Sequence, residues 1–152
     1  MKMKILITIL PLVFISCMTD QSIIQSSGKT LKAKMEILGN AITIKSDVND
    51  VYFKLYDVNR NSRSILGPTN KDYKICIFVN PSNVDKWVDD KKVWITSFPK
   101  NINWINDLSD MSESKMMMKY GFITYYKEEN GMKYTIWTNN EKGIILIHYI
   151  QE

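Results

Sequence analysis

The chain has 152 residues, a net charge of +4 at pH 7, and 45% apolar residues. This length is sufficient for one domain with a hydrophobic core. Without Lys2 and Lys4, which precede an apolar leader, the net charge falls to +2, and the densest basic stretch is the pair Lys91 and Lys92. The charge distribution therefore argues against a nucleic-acid-binding protein.

Residues 1–15 have the layout of a secretory signal peptide. Lys2 and Lys4 precede an uncharged apolar run of 11 residues at positions 5–15. A helix of that length rises only about 16 Å, whereas the hydrocarbon core of a bilayer is roughly 30 Å thick. We therefore expect a signal segment rather than a permanent membrane span.

The apolar run ends in the four residues FISC, at positions 14–17. They resemble the lipobox of bacterial lipoproteins, in which small or apolar residues precede an obligatory cysteine, although Phe14 stands where that family usually has leucine. The resemblance implies that the thiol of Cys17 is diacylated, that the signal is cleaved before Cys17, and that the new amino terminus is acylated too. The alternative is an ordinary signal peptide with a coincidental cysteine, or an uncleaved anchor.

Several acyl chains give stable membrane attachment, so the lipobox implies a protein of the bacterial cell envelope whose membrane partner is reached through Cys17. No aspartate directly follows Cys17, which favours the outer membrane or the periplasmic side. With Cys17 acylated, Cys76 is the only other cysteine. No intramolecular disulfide can then form, and the core alone must hold the domain together.

The expected organisation has three parts. A signal peptide occupies residues 1–16, a lipid anchor and polar tether occupy residues 17–30, and a single globular domain occupies residues 31–152. The tether is rich in Ser, Gln and Thr, and thirteen flexible residues would hold the domain roughly 20 Å from its anchor.

The pattern at residues 31–46 predicts a β-hairpin. Apolar residues at positions 31, 33, 35 and 37 alternate with charged ones, which is the period of a strand with one buried face. Gly39 and Asn40 suit a two-residue turn, and residues 41–46 complete the hairpin. Further strands are predicted at residues 51–58 and 73–79, and the second of these is nearly all apolar and therefore central.

Short helices and a meander are predicted for the remainder of the chain. Ser82 and Asp85 predict the start of a short helix that ends near Asp90, and a second helix is expected within residues 101–119. A short strand is predicted at residues 93–97. Three more strands, at residues 120–127, 132–138 and 143–150, form an antiparallel meander.

These elements predict a β-dominated α+β fold. A single antiparallel sheet of about seven strands would carry one or two short helices on one side. A small β-barrel or sandwich is the alternative.

The residues that could carry catalysis or bind metal do not form complete sites. Cys76 and His148 could pair as thiol and base, but both lie in apolar strands, where a buried cysteine is usually inert. Asp57, Asn59 and Asn61 occupy the first positions of a calcium loop, but a proline stands where the closing glutamate is needed. We therefore predict no catalytic residue, no cofactor and no metal site.

Two features could contact a ligand or a partner. Arg60 and Arg63 are the only arginines in the chain, and together they could clamp a carboxylate or a phosphate. Tyr125 and Trp137 lie on predicted strands that carry large rings on both faces, so one aromatic face could stack on a glycan or bury a protein partner. The opposing interpretation is a solvated arginine loop and a second aromatic face covered by helices.

The leading functional hypothesis is a lipid-anchored envelope protein that works as a non-enzymatic binding, inhibitor or scaffolding module. Its partner would be a protein or a glycan, and not nucleic acid. The alternative is a small envelope hydrolase that uses carboxylates from its loops. A concave pocket with converging acids would favour the hydrolase, and an aromatic patch or groove without them would favour the binding module.

Overall fold

The computed structural model describes residues 21–58, 70–88, 92–94, 103–108, 111, 121–129 and 132–151. Seven strands, one α-helix and two 3₁₀ helices, η1 and η2, follow one another in these ranges. In chain order they are β1 (Gln21–Gln25), α1 (Leu31–Ala41), β2 (Asp50–Val58), β3 (Asn70–Phe78), η1 (Pro81–Trp87), β4 (Lys92–Trp94), η2 (Asn103–Asp107), β5 (Ile123–Glu129), β6 (Met132–Asn139) and β7 (Ile144–Gln151).

All the strands belong to one open antiparallel sheet with the order β1-β2-β3-β7-β6-β5-β4. Six of the strands have five or more residues, and the seventh, β4, is a three-residue strand at the edge. The predicted single sheet with a carboxyl-terminal meander is therefore confirmed. Because β1 and β4 each pair with only one neighbour, the sheet does not close into the barrel considered as an alternative.

The predicted hairpin at residues 31–46 is wrong, because residues Leu31–Ala41 form the helix α1. Leu31, Met35 and Leu38 also repeat at helical spacing, and most of their neighbours are straight-chain residues that favour helices. The hydroxyl of Thr30 caps the helix by accepting a hydrogen bond from the backbone N–H of Ala33 at 3.4 Å. The apolar residues of this segment thus fit both a strand and a helix. The helix packs Leu38 fully into the core.

Part of the expected tether belongs to the sheet. Residues Gln21–Gln25 form β1 and pair with β2 in the register Gln21↔Val58 to Gln25↔Lys54. The next residue, Ser26, is buried, and its hydroxyl accepts a hydrogen bond from the backbone N–H of Phe53 at 3.1 Å. Backbone pairing along an edge strand tolerates a polar sequence, which is why composition alone suggested a flexible segment.

Alternating residues of the central strands form two opposite faces. We call the first face the one that contains the in-register row Phe53, Ile75, Ile147 and Ile136. The second face contains the neighbouring in-register row, which is displaced by one residue along each strand and consists of Tyr52, Cys76, Leu146 and Trp137. Each row lies in its own hydrophobic cluster.

Helical segments cover both faces. Leu38 from α1 and Val84 and Trp87 from η1 pack on the first face. Trp104 from η2, together with Leu108, packs on the second face. The first 3₁₀ helix begins two positions earlier than predicted, because Asn80 rather than Ser82 is its N-cap and Pro81 follows. A fixed φ makes proline favourable at the first helical position.

Candidate functional site

The residues predicted as a ligand or partner surface do not come together. Trp137 is only 5% exposed and packs on the second face against Trp104, with ring centroids 6.2 Å apart. Tyr125 is half-buried on the opposite, first face, where it packs against the core. The prediction of Trp137 as part of an exposed surface is therefore wrong, because η2 covers its face. Arg60, Arg63 and Cys17 lie outside the described residues.

A cavity of about 270 Å³ opens instead on the first face. It lies between the residues that follow α1 and the strands β3, β7 and β6, and we call it the tyrosine cavity. Its lining consists of Ala41, Ile42, Thr43, Lys45, Lys71, Tyr73, Trp87, Tyr134, Ile136, Ile147 and Tyr149.

Three tyrosines form the floor of the tyrosine cavity. Tyr73, Tyr149 and Tyr134 are in register across β3, β7 and β6. Their ring centroids are 5.2 Å apart for Tyr73 and Tyr149 and 4.7 Å apart for Tyr134 and Tyr149. Cross-strand aromatic pairs of this kind stabilise a sheet and also fix the orientation of each ring. The floor is therefore a preformed aromatic surface.

Trp87 of η1 forms a side wall of the tyrosine cavity, and a hydrogen bond fixes its position. The indole N–H of Trp87 donates to the hydroxyl of Ser46 at 2.9 Å. This bond joins η1 to the segment after α1 and satisfies the one polar group of a buried indole. Trp87 is thus held in a single orientation beside the tyrosine floor.

The hydroxyl groups of two floor tyrosines are engaged by side chains at the end of the sheet. Tyr73 donates to Asp57 at 3.0 Å, and Tyr149 donates to Gln151 at 2.9 Å. Burial, followed by the bond to Asp57, raises the pKa of Tyr73 well above its ordinary value. Burial, followed by the proximity of Tyr134, also raises the pKa of Tyr149. Both hydroxyls therefore stay protonated at neutral pH.

Two lysines line the tyrosine cavity beside its aromatic floor. Lys45 is exposed, and Lys71 is half-buried with its ammonium nitrogen 6.0 Å from the ring centroid of Tyr73. Among the described residues that line the cavity there is no carboxylate, imidazole or thiol. The site can therefore accept an apolar body and attract a negative charge.

A second, smaller cavity of about 220 Å³ adjoins the first. It shares Ala41 and Tyr73 with the tyrosine cavity and extends toward Ile24 of the edge strand β1. One oxygen of Asp57 lies in this region, buried and without a hydrogen-bond partner in the described part of the chain.

The second face carries a different polar group, which we call the charged cluster and define as Asp72, Lys74, Asp107 and His148. The imidazole Nε2 of His148 is 2.9 Å from Asp72 Oδ1. The ammonium of Lys74 lies 3.7 Å from Asp72 and 3.6 Å from Asp107 of η2. The hydrogen bond with His148 lowers the pKa of Asp72, although partial burial opposes this shift. The ring of Trp104 lies beside His148, with centroids 5.9 Å apart.

Within the part of the chain that the structure describes, the charged cluster contains neither a thiol nor a group of metal ligands. The partner of His148 is Asp72 rather than Cys76, which is buried and in register with Leu146. Among residues 21–58, 70–88 and the shorter described segments, no group of three or more His, Cys, Asp or Glu side chains could hold a metal ion. The pair can move or hold a proton, and within the described residues no serine, threonine or cysteine hydroxyl or thiol donates a hydrogen bond to the imidazole of His148.

Sequence reasoning missed both sites. Each of the three floor tyrosines stands near the middle or the end of a strand that was predicted, and their shared face follows only once strand order and register are known. Asp72 and His148 are 76 positions apart in the chain. A signal existed in the alternation of Asp72, Tyr73 and Lys74, which places the aromatic ring and the two charged side chains on opposite faces.

No protein-family model matches this chain, and the comparisons with curated proteins and with solved structures found no similar protein. Within the described ranges, no helix combines the length and the apolar character needed to cross a bilayer.

Proposed function

We propose that this protein is a lipid-anchored protein of the bacterial envelope that binds a small ligand in the tyrosine cavity and performs no catalysis there. The observation that carries the proposal is the composition of the cavity, which combines an ordered aromatic floor with two lysines and, among the described lining residues, no carboxylate, imidazole or thiol. Ligand sites typically join an apolar lining to a few polar groups that orient the ligand.

The chemistry of the lining defines the class of ligand. Tilted tyrosine rings offer both edges and faces to an apolar or aromatic body. Lys45 and Lys71 attract a carboxylate or another acidic group. A volume of about 270 Å³ suits a ligand at the small end of the usual range. We therefore expect a compact aromatic or branched apolar acid, either free or as the terminal group of a larger partner.

The binding experiment compares phenylacetate with its uncharged analogue phenylacetamide on the full chain. We expect millimolar phenylacetate to shift the NMR signals of the tyrosine rings and to bind more tightly than phenylacetamide. Lys71→Met removes one attractive charge and should weaken phenylacetate binding by a factor of about 2–5, the range expected for an exposed ion pair.

Two controls make this result specific. Lys86→Met removes an exposed lysine of η1 that does not line the cavity, and should leave binding unchanged. Phenylacetamide binding should be the same for Lys71→Met and the original chain. The absence of any shift from either compound at the cavity rings contradicts the proposed site.

The anchor is tested separately. The lipobox at residues 14–17 supports acylation of Cys17, so radioactive palmitate should label the full chain. Cys17→Ala should abolish labelling. Equal labelling of the two chains would refute the envelope lipoprotein while leaving the cavity proposal intact.

A small envelope hydrolase is the second candidate, and the charged cluster is the observation that favours it. A carboxylate that orients an imidazole is a common part of acid–base machinery. His148→Gln separates the two candidates, because it should abolish hydrolysis of a test ester but leave phenylacetate binding unchanged. The binding module is the better-supported candidate, because within the described residues no hydroxyl or thiol side chain is hydrogen-bonded to the imidazole of His148.

A further inference from the structure

Exposed large apolar side chains concentrate at the beginning of the described chain. Ile23, Ile24 and Leu31 are 50%, 40% and 40% exposed, and the only other such residue within the described ranges is Ile123, at 37%. Ile23 and Ile24 lie on the edge strand β1, and Leu31 begins α1. Exposed apolar residues that cluster in one segment point to a contact surface.

The expected anchor lies very close to this segment. Only three residues separate Cys17 from Gln21, the first residue of β1. Consecutive Cα atoms are about 3.8 Å apart, so four steps span at most about 15 Å. An acylated Cys17 therefore holds β1 next to the lipid headgroups, with no room for the separation that a long tether would give.

The charge of the same segment suits an anionic lipid surface. Residues 21–35 contain three lysines and no acidic residue. Lys29 and Lys32 are exposed, and the ammonium of Lys29 donates to the carbonyl oxygen of Gln25 at the end of β1. Lys34 is buried and paired with Asp50 at 3.5 Å. Two lysines therefore stand beside the exposed apolar residues.

We propose that β1 and the first turn of α1 form a membrane-contact surface that lies edge-on on an anionic phospholipid bilayer. Ile23 and Ile24, which lie on opposite faces of β1, then both reach the interface together with Leu31. This inference rests on the acylation of Cys17 in the proposed function. Acyl chains supply attachment, and the apolar and basic side chains fix the orientation of the domain. The free edge of the sheet then faces lipid headgroups rather than open solvent.

The test uses the full acylated chain in vesicles of 70% phosphatidylcholine and 30% phosphatidylglycerol. A nitrobenzoxadiazole label is attached to Ile23→Cys or Leu31→Cys, with Ile123→Cys as the matched exposed control. Cys76 is only 1% exposed, so the added thiol is labelled selectively. We expect a doxyl-labelled lipid to quench the labels at positions 23 and 31 several times more strongly than the label at position 123.

The outcomes separate the inference from its premise. A chain that floats with vesicles but carries equally unquenched labels at positions 23, 31 and 123 overturns the contact surface and leaves the anchor standing. The labels at positions 23 and 31 could instead be shielded from iodide but not quenched by doxyl lipid. That result would show that a protein covers β1, and it also overturns the membrane-contact surface. A chain that does not float refutes the anchor and the contact surface together.

The charges provide a second measurement on a variant with unchanged apolar residues. Lys29→Gln and Lys32→Gln are combined in one variant. On the anionic vesicles, the ratio of molecules whose β1 contacts lipid to molecules whose β1 is detached should fall by roughly fivefold per lysine. On pure phosphatidylcholine vesicles the variant and the original chain should behave alike. Unchanged contact on the anionic vesicles would contradict a role for the two lysines in the surface.

Discussion

On the first face of the sheet, β3 places Tyr73 beneath the residues that follow α1, whereas one position earlier it places Asp72 on the second face beside His148. The first face gathers aromatic rings around a cavity, and the second gathers ion pairs under η2. Both faces have a buried hydrophobic core. They differ in the side chains at the end of the sheet that contains Tyr73 and Asp72, which are aromatic on the first face and charged on the second.

The comparison shows how one strand supplies two environments that respond to opposite pH extremes. Burial raises the pKa of Tyr73 and of Tyr149 on the first face. The bond with His148 lowers the pKa of Asp72 on the second face. Alternation along a strand is therefore sufficient to separate a site whose stabilising contact is lost in alkali from one whose stabilising contact is lost in acid.

The largest expected effect tests whether the hydrophobic cores of the two faces contribute equally to the free energy of unfolding. Phe53 is fully buried in the first-face core, whereas Phe122 lies in the second-face cluster and is 8% exposed. Phe53→Ala should lower the free energy of unfolding by about 3–5 kcal/mol. Phe122→Ala should lower the free energy of unfolding by less, because Phe122 lies just before the first residue of β5, where the surrounding structure relaxes more easily. Urea unfolding of both variants measures the difference, and an equal or reversed order would refute a dominant first-face core.

The next effect concerns the turn where β7 meets the segment after β3. Gly143 has φ of +67°, and a Cβ at this position would collide with the carbonyl oxygen of Val79, a residue of the first-face core. Its own carbonyl accepts a hydrogen bond from Val79 at 2.8 Å. Gly143→Ala should cost at least about 2 kcal/mol, since strain and overlap add.

Gly28 provides the matched control for this turn. It has the same φ of +67°, but a Cβ there would meet nothing within 4 Å. Gly28→Ala should therefore cost only the backbone strain, about 1–2 kcal/mol. Similar urea midpoints for the two variants would show that the contact with Val79 is unimportant.

A third prediction concerns the loss of stability at alkaline pH that arises from Tyr73 on the first face. The folded-state pKa of Tyr73 lies above its unfolded-state value. The associated stability is therefore complete below about pH 10 and is lost as the pH rises toward the folded-state pKa. Tyr73→Phe should cost about 1–3 kcal/mol at neutral pH by leaving Asp57 without its donor. It should also flatten the decline of the melting temperature above pH 10.

Tyr56→Phe is the control for alkaline unfolding, because Tyr56 lies on β2 outside the tyrosine cavity. This variant should keep the alkaline decline of the original chain. A decline that is unchanged in Tyr73→Phe would show that Tyr73 does not control it.

The smallest effect concerns acid unfolding through the second face. The folded-state pKa of Asp72 lies below its unfolded-state value. Its stabilising contact is therefore present above about pH 4 and is lost as the pH falls through the folded-state pKa. Asp72→Asn should lower the melting temperature at neutral pH and reduce the further loss below pH 4. Asp47→Asn, which alters an exposed carboxylate, should leave the acid profile unchanged.

Local patterns predicted much of the fold. The strands at residues 51–58 and in the carboxyl-terminal meander were found because turn residues and period-two alternation agreed there. The helix α1 was missed because positions 31, 33, 35 and 37 fit the strand period, whereas Leu31, Met35 and Leu38 fit the helical one, and only packing against the sheet selects the helix. The strand β1 was missed because its pairing with β2 comes from the backbone.

The candidate site was less predictable than the fold. Trp137 was correctly placed on a strand, but whether its face is covered depends on η2, which lies more than thirty positions earlier in the chain. The tyrosine floor joins three strands whose spatial order differs from their chain order. Such proximity depends on long-range pairing, which no local pattern contains.

The contact between β3 and β7 also has a kinetic consequence. Strands β1 to β3 pair with their chain neighbours, as do strands β4 to β7, and only the β3–β7 ladder joins the two halves. Its paired residues are between 66 positions apart, for Phe78 and Ile144, and 80 positions apart, for Lys71 and Gln151. We expect each half to assemble early, and the closure of this single seam to limit the rate at which the whole chain folds, because distant contacts require the largest loss of chain entropy.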